Sequence, residues 1–314
     1  MIYDNHIPNN PINVQPFFSR GGTNDWHSWN KPHNCKFIHI FCLGSGGGGG
    51  SGQGSPTLTS RRGGHGGGAA AYVNALYTAS FLPDTLYLQV APGGSPGLGG
   101  TYSTGGGTGA LSYVSIQPNT TAQNIIMQSG SGAAGGGAAG TLTGPVGSAG
   151  TVWAAAATNI LLTGLIVPVA GQAGGLGQTT APANDIAISG IVTGGAPGAG
   201  MNGGTSRQGG GILGTGSVPA VTGGEPGGTN LVTPTLPGGA GGSYYTVYPS
   251  TTTYAAKCLF FSGGSGGGSS DQGLGGEGGA GSFGSGGGGG GAGITNGGGN
   301  GGRGGDGLII ITCF

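Results

Sequence analysis

The sequence predicts a mainly β and irregular fold, a bundle or sandwich of polyglycine II helices bracketed by short β-strands, with little or no α-helix. Three observations predict it. Glycine supplies 85 of 314 residues, about four times its usual share. Short apolar segments rich in Ile, Val, Phe and Tyr recur directly before glycine runs, and such residues favour strands. No window keeps a helical period over a useful length; the best candidate, Trp153–Asn159, is too short to stand alone.

Taken in order, residues 1–34 differ from the rest. They hold two of the three tryptophans, Trp26 and Trp29, several prolines and only two glycines. They read as an extended N-terminal arm for docking, because proline-rich chain has little to pack within itself. Residues 35–314 read as a glycine-rich body. Within it, Lys36–Leu43 (KFIHIFCL) precedes Gly44–Gly54, and Tyr113–Gln117 and Asn124–Gln128 precede Gly130–Gly140. Lys257–Ser262 precedes Gly263–Gly268, and Gly297–Gly307 runs into Leu308–Phe314 (LIIITCF). Stretches 35–140 and 257–314 therefore read as strand plus polyglycine layers, with 141–256 as a loop-rich middle. The strands 36–43 and 308–314 have similar patterns and are expected to pair or lie side by side, with Cys42 and Cys313 in one neighbourhood. Alternation places Phe37, His39, Phe41 and Leu43 on one face and Ile38, Ile40 and Cys42 on the other. Both faces are largely apolar, so burial on both sides is expected.

A glycine run can do more than link. In the polyproline II conformation a chain has about three residues per turn and bonds nothing within itself, so every amide points outward. Without side chains, several runs can approach backbone to backbone and satisfy one another, as buried amides must. Ordering each residue costs about 1–2 kcal/mol, while one hydrogen bond returns about 0.5–1.5 kcal/mol. The apolar strands at the run ends, and oligomerisation, would supply the difference. Collagen is excluded, because Gly286–Gly291 and Ala154–Ala157 break its three-residue frame.

Charge narrows function. Eight basic and eight acidic residues cancel, which leaves no basic footprint for nucleic acid. No stretch reaches the ~18 apolar residues of a membrane span, and the start MIYDNHIPNN lacks the pattern of a secretory signal; synthesis and assembly in the cytoplasm are expected. Four scattered cysteines are too few for a disulfide framework, so free thiols are expected.

Three stretches resemble glycine-rich bacteriophage virion proteins of the tail-fibre or adhesin type. One is Trp29-Asn30-Lys31-Pro32 leading into Phe37–Leu43 and GSGGGGGSG. Another is Arg62-Gly63-Gly64-His65-Gly66-Gly67-Gly68-Ala69-Ala70, leading to Leu82-Pro83-Asp84-Thr85-Leu86 and Tyr87–Val90. The third is Ser282–Gly293 followed by GGNGGRGGDGLIIITCF. The resemblance implies stacked polyglycine II helices, host-recognition loops at the helix ends, and a place in the virion assembled in the host bacterial cytoplasm. It implies partners too: further copies of the chain, expected as a homotrimer, other virion proteins bound through the arm, and a host-surface glycan or protein. A capsid decoration or head-fibre role fits the same pattern; ice-binding and silk-like proteins stand behind these.

Candidate chemistry is sparse. His27, His33, Cys35, His39 and Cys42 fall close together, but their spacing matches no compact zinc pair, and packed side chains are the simpler reading. Glycine-rich phosphate motifs mean nothing at this composition, and no Walker loop is present. The scattered carboxylates suggest no glycosidase pair. The sequence thus points to no enzyme, cofactor or metal. The better signal is the aromatic cluster Tyr244, Tyr245, Tyr248 and Tyr254, since tyrosine offers amphipathic contact area at low entropic cost. These are the receptor-contact candidates, with packing against the glycine bundle as the alternative. Trp26 and Trp29 are the docking-arm candidates, with packing on the chain's own body as theirs.

Overall fold

The computed structural model describes residues 13–22, 25–55, 60–100, 103–137, 146–152, 165–178, 183–202, 206–213, 222–224, 245–248, 258–271, 273–294 and 297–314. Its strands are β1 (Asn13–Phe18), β2 (Trp26–Asn30), β3 (Phe37–Leu43), β4 (Ser60–Arg61), β5 (Tyr72–Thr78), β6 (Thr85–Gln89), β7 (Tyr113–Ser115), β8 (Ile125–Gln128), β9 (Leu165–Val169), β10 (Ile186–Ala187), β11 (Met201–Asn202), β12 (Ile212–Leu213), β13 (Tyr245–Tyr248), β14 (Cys258–Phe261) and β15 (Leu308–Cys313). Helix among the described residues is confined to one 3-10 turn, Ala79–Phe81. The fold is mainly β, in several antiparallel sheets.

Two sheets make a sandwich. One has the order β1-β15-β3-β5-β9, the other β2-β6-β7-β8. Period-two alternation sends Ile38, Ile40, Cys42, Val73, Tyr77, Ile309 and Ile311 of the first sheet inward, where they share one core with Trp29, Leu86, Leu88, Val114 and Met127 of the second. β3 and β15 pair antiparallel, so the two ends of the body close on each other. The register sets Ile309 opposite Cys42 and Cys313 opposite Ile38. That separates the two thiols by four residues of strand, about 14 Å, and corrects the expectation that they are neighbours. Antiparallel pairing instead carries Cys313 to the start of β3, where Cys35 is the thiol beside it. Burial on both faces of β3 holds only from Ile40 onward; Phe37 is 48% exposed and His39 half-buried.

Stretch 1–34 is woven into this sandwich over its described part. β1 pairs with β15 and β2 with β6. Trp29 faces Leu86 in the register and is buried in the core, while Trp26, opposite Gln89, is half-buried.

β3, β6, β8 and β9 run directly into small-residue stretches at one end of the sandwich, and the runs that return lead back into β5, β7 and β15. Their hydrogen bonds repeat every three residues. In run 44–53, Gly46, Gly49 and Gly52 donate to Gly305, Gly302 and Gly299. Gly47, Gly50 and Gln53 donate to Gly68, His65 and Arg62, and Gly48 and Ser51 to Gly107 and Thr104. The same run accepts from Gly94 and Gly97, from Gly132 and Gly135, and from Gly287, Gly290 and Gly293. It therefore donates to three runs and accepts from three others. Runs 62–71 and 284–293 repeat the scheme: the former donates to 284–290, 130–136 and 172–178 and accepts from 44–53, 147–150 and 195–198. Partners thus recur at i, i+3 and i+6, and each of these three runs is hydrogen-bonded to six others, in what is called the lattice below.

Glycine is required here by approach distance. A Cβ at Gly49 would lie 2.6 Å from the Gly288 carbonyl carbon, and one at Gly67 2.6 Å from that of Gly47. Among the described residues of these runs, only Gly284 needs a left-handed backbone, with φ +68, at the corner between runs 275–282 and 284–293. Serine is admitted where its hydroxyl meets a neighbouring run. Ser45 Oγ accepts from Ala110 N at 2.7 Å, Ser51 Oγ from Thr104 N at 2.8 Å, and Ser285 Oγ donates to the Phe261 carbonyl at 2.9 Å.

Candidate functional site

The lattice places its turns at two ends. One end is the sandwich. The other, called the loop end below, holds the described residues at the opposite ends of the runs: 54–55, 60–61, 100, 103, 201–202, 206, 271, 273–274 and 294. Short pairings tie this loop end together, with Arg61 opposite Met201 and Ser60 opposite Asn202, and Ser60 Oγ donating to Asn202 Oδ1 at 3.0 Å. Ser206 Oγ donates to Asp271 Oδ1 at 3.0 Å and accepts from Asp271 N at 2.9 Å. Arg61 is buried and donates through Nε to the Ser55 carbonyl, with Met201 Sδ 4.0 Å from Nη1. Desolvation by burial lowers its pKa. Leu98 and Leu274, on other runs, are both more than half exposed. Among the described residues the loop end thus presents polar groups with isolated apolar side chains.

Of the tyrosine candidates, Tyr245 and Tyr248 lie on β13, which pairs antiparallel with β14: Tyr245 opposite Phe261 and Tyr248 opposite Cys258. Tyr244 and Tyr254 lie outside the described residues, as does Trp153–Asn159. β14 leads straight into run 262–270, so β13 is anchored to the sandwich-side border of the lattice rather than to the loop end. Phe261 closes that border: it packs with Phe41, Leu43, Val192 and Leu308, and stacks edge-on with Phe283 at 5.7 Å.

The histidine and cysteine candidates are dispersed. His27 Nε2 is 3.0 Å from the Phe18 carbonyl and its ring lies against Phe17. His39 sits on the outer face of the first sheet, and Cys42 on the inner face. Burial comes first among the causes that lower the pKa of both histidines and raise the Cys42 thiol to about 12. Among the described residues no three His, Cys, Asp or Glu side chains form a metal-binding group. No helix of the described residues is long and apolar enough to cross a membrane.

Two features escaped the sequence reading. His65 is buried inside the lattice, 1% exposed, with Nδ1 accepting from Gly177 N at 3.0 Å. Its place within RGGHGGGAA, a single imidazole among glycines, is the only sequence signal for it. The second is a junction of two resembling motifs. β2–β6 pairing sets Asn30 opposite Thr85, and Lys31 Nζ meets Asp84 Oδ1 at 3.0 Å while donating to the carbonyls of Ala79 at 3.1 Å and Leu82 at 2.8 Å. WNKP and LPDTL thus form one clasp at the far end of the sandwich.

No protein-family model matches the chain, and no curated protein matches it.

Proposed function

We propose that the glycine runs are polyglycine II helices and that the chain is a non-enzymatic bacteriophage virion structural protein, a tail-fibre or adhesin component. The observation that carries this reading is the three-residue recurrence of hydrogen-bond partners between runs, each central run being served by six others. Three residues per turn is the repeat of the polyproline II conformation. A lattice in which backbone is both scaffold and packing material needs no side-chain core of its own and brings the ends of many runs to one side of the molecule. That suits a particle protein that must hold recognition loops outward, and the resemblance of the WNKP, RGGHGGGAA and C-terminal stretches supports the same assignment. In this reading the loop end meets a host-surface glycan or protein, and the sandwich end faces the particle and other copies of the chain.

Mass spectrometry of purified particles from the source phage tests it: the chain is expected among the virion proteins, and its absence overturns the assignment. Antibody labelling in the electron microscope then separates a tail-tip position from a capsid position. Hydrogen exchange tests the helices themselves, since amides of Gly46–Gly52 are expected to exchange orders of magnitude more slowly than free peptide.

A further inference from the structure

We infer that the outer face of the five-stranded sheet is the surface on which this chain pairs with a second copy of itself. Residues Val14, Thr312, His39, Leu76 and Leu165 form one straight row across all five strands. The row nearer the lattice, through Leu308, Leu43 and Tyr72, is covered by Phe261, Phe283 and Val192. The cover stops there. Beyond it Leu165 is 70% exposed, Val14 56% and Phe37 48%, with Leu76, Val167 and Phe314 also open. The other face of the same sheet is the sandwich core, so these side chains belong to an apolar face without a covering layer among the described residues.

The open area spans five strands, about 24 Å, and about 15 Å along them. With side chains standing off the sheet, two such faces would bury on the order of 1,000 Å² of accessible surface, the size at which specific interfaces begin; apolar patches of this extent on soluble proteins mark interaction sites.

The occupant follows from charge and from the edges. None of the outward positions of β1, β15, β3, β5 and β9 is Asp, Glu, Lys or Arg. A two-fold pairing sets the patch against itself, with residues near the axis meeting their own copies, which an uncharged face tolerates and a face of one charge sign does not. Polar groups on this face, among them His39, Asn74, Thr78 and Thr312, can give and accept hydrogen bonds without repulsion. A partner chosen by charge would find nothing to pair with. Lateral addition of a strand is disfavoured, because both edge strands carry a proline, Pro16 in β1 and Pro168 in β9. Face-to-face stacking is what remains, at the ~10 Å separation of packed sheets.

The inference rests on the reading of the chain as an assembling structural protein, and names the surface and the two-fold symmetry of one contact. Sedimentation equilibrium of the full chain tests it. Wild type is expected to dimerise at micromolar concentrations. Leu76→Glu and Leu76→Lys, changes at an exposed position, should each weaken association at least tenfold, and an equimolar mixture of the two should recover it. Leu98→Lys, on a distant exposed site, should leave it unchanged. A wild-type chain that stays monomeric, or Leu76 variants that associate as wild type does, overturns the inference. Slow exchange of the glycine amides in the same samples reports that the fold is intact, so a monomer with protected glycines removes the paired face alone, whereas absence from particles removes the virion reading alone.

Discussion

Replacing Gly49 by alanine is the sharpest trial of a lattice in which backbone packs on backbone. The new Cβ would sit on the Gly288 peptide, 2.6 Å from its carbonyl carbon and 2.8 Å from the Gly287 oxygen. Neither is the end of a flexible side chain that can swing away. Ordinary contact needs 3.4 Å or more, and the Gly288 carbonyl oxygen is nearer still than its carbon, so runs 44–53 and 284–293 must separate by well over 1 Å. That separation strains Gly287 N to Gly47 O and Gly290 N to Gly50 O, both 2.9 Å and both between these runs. Overpacking costs about 1–3 kcal/mol, and a buried amide left unsatisfied costs about 1–3 kcal/mol more. Together these give about 3–6 kcal/mol against a total stability of about 5–15 kcal/mol. Gly105→Ala is the matched control: its Cβ would meet nothing nearer than the Gly135 oxygen at 3.5 Å, so the change should be within about 0.5 kcal/mol of neutral. Urea denaturation of both variants reads the difference. If Gly49→Ala costs no more than Gly105→Ala, close approach of the runs is not what glycine provides here, and the lattice argument fails.

Three further outcomes are expected. Burial, and next the charge of Arg62, lower the His65 pKa below its ordinary 6.5; the unfolded chain then binds more protons, so stability should fall as pH drops from about 6.5 toward the lower folded value. A His65→Gln variant should lose part of that slope in urea midpoints measured between pH 7.5 and 5, and an identical slope would refute the assignment. The Tyr77 hydroxyl is buried with no hydrogen-bond partner in the structure; Tyr77→Phe should leave the thermal midpoint unchanged or raise it, because a buried unpaired hydroxyl costs about 1–3 kcal/mol, and a clear drop would contradict this. Lys31→Ala should cost about 2–4 kcal/mol, since its ammonium donates to two carbonyls, whereas Asp84→Ala, whose side chain is 93% exposed, should cost less than about 1 kcal/mol; equal losses would show that the ion pair rather than the carbonyl contacts holds the clasp.

What the sequence determined by itself is the local vocabulary. Alternating Ile and Phe in KFIHIFCL and the apolar LIIITC segment can only be strands, and glycine in runs of this length can neither form helix in water nor fill a side-chain core. Those two facts lead to a mainly β chain whose ends meet, and β3 and β15 do pair. The register was not legible, because both strands are apolar along most of their length and either direction of pairing buries similar area; only the antiparallel closure places Cys313 beside Cys35 instead of Cys42. The placement of β1 and β2 was hidden for a related reason. Trp26 and Trp29 signal a contact, but sequence alone does not say whether the surface they meet is the chain's own. The tertiary structure decided it for the strands it describes, by hydrogen-bonding β1 to the last strand and β2 to β6. It also decided which glycines matter. Gly49 and Gly105 are the same residue in similar runs, and what separates them is whether another backbone already occupies the space a Cβ would take, which at Gly49 is the peptide of Gly288, far away in the chain.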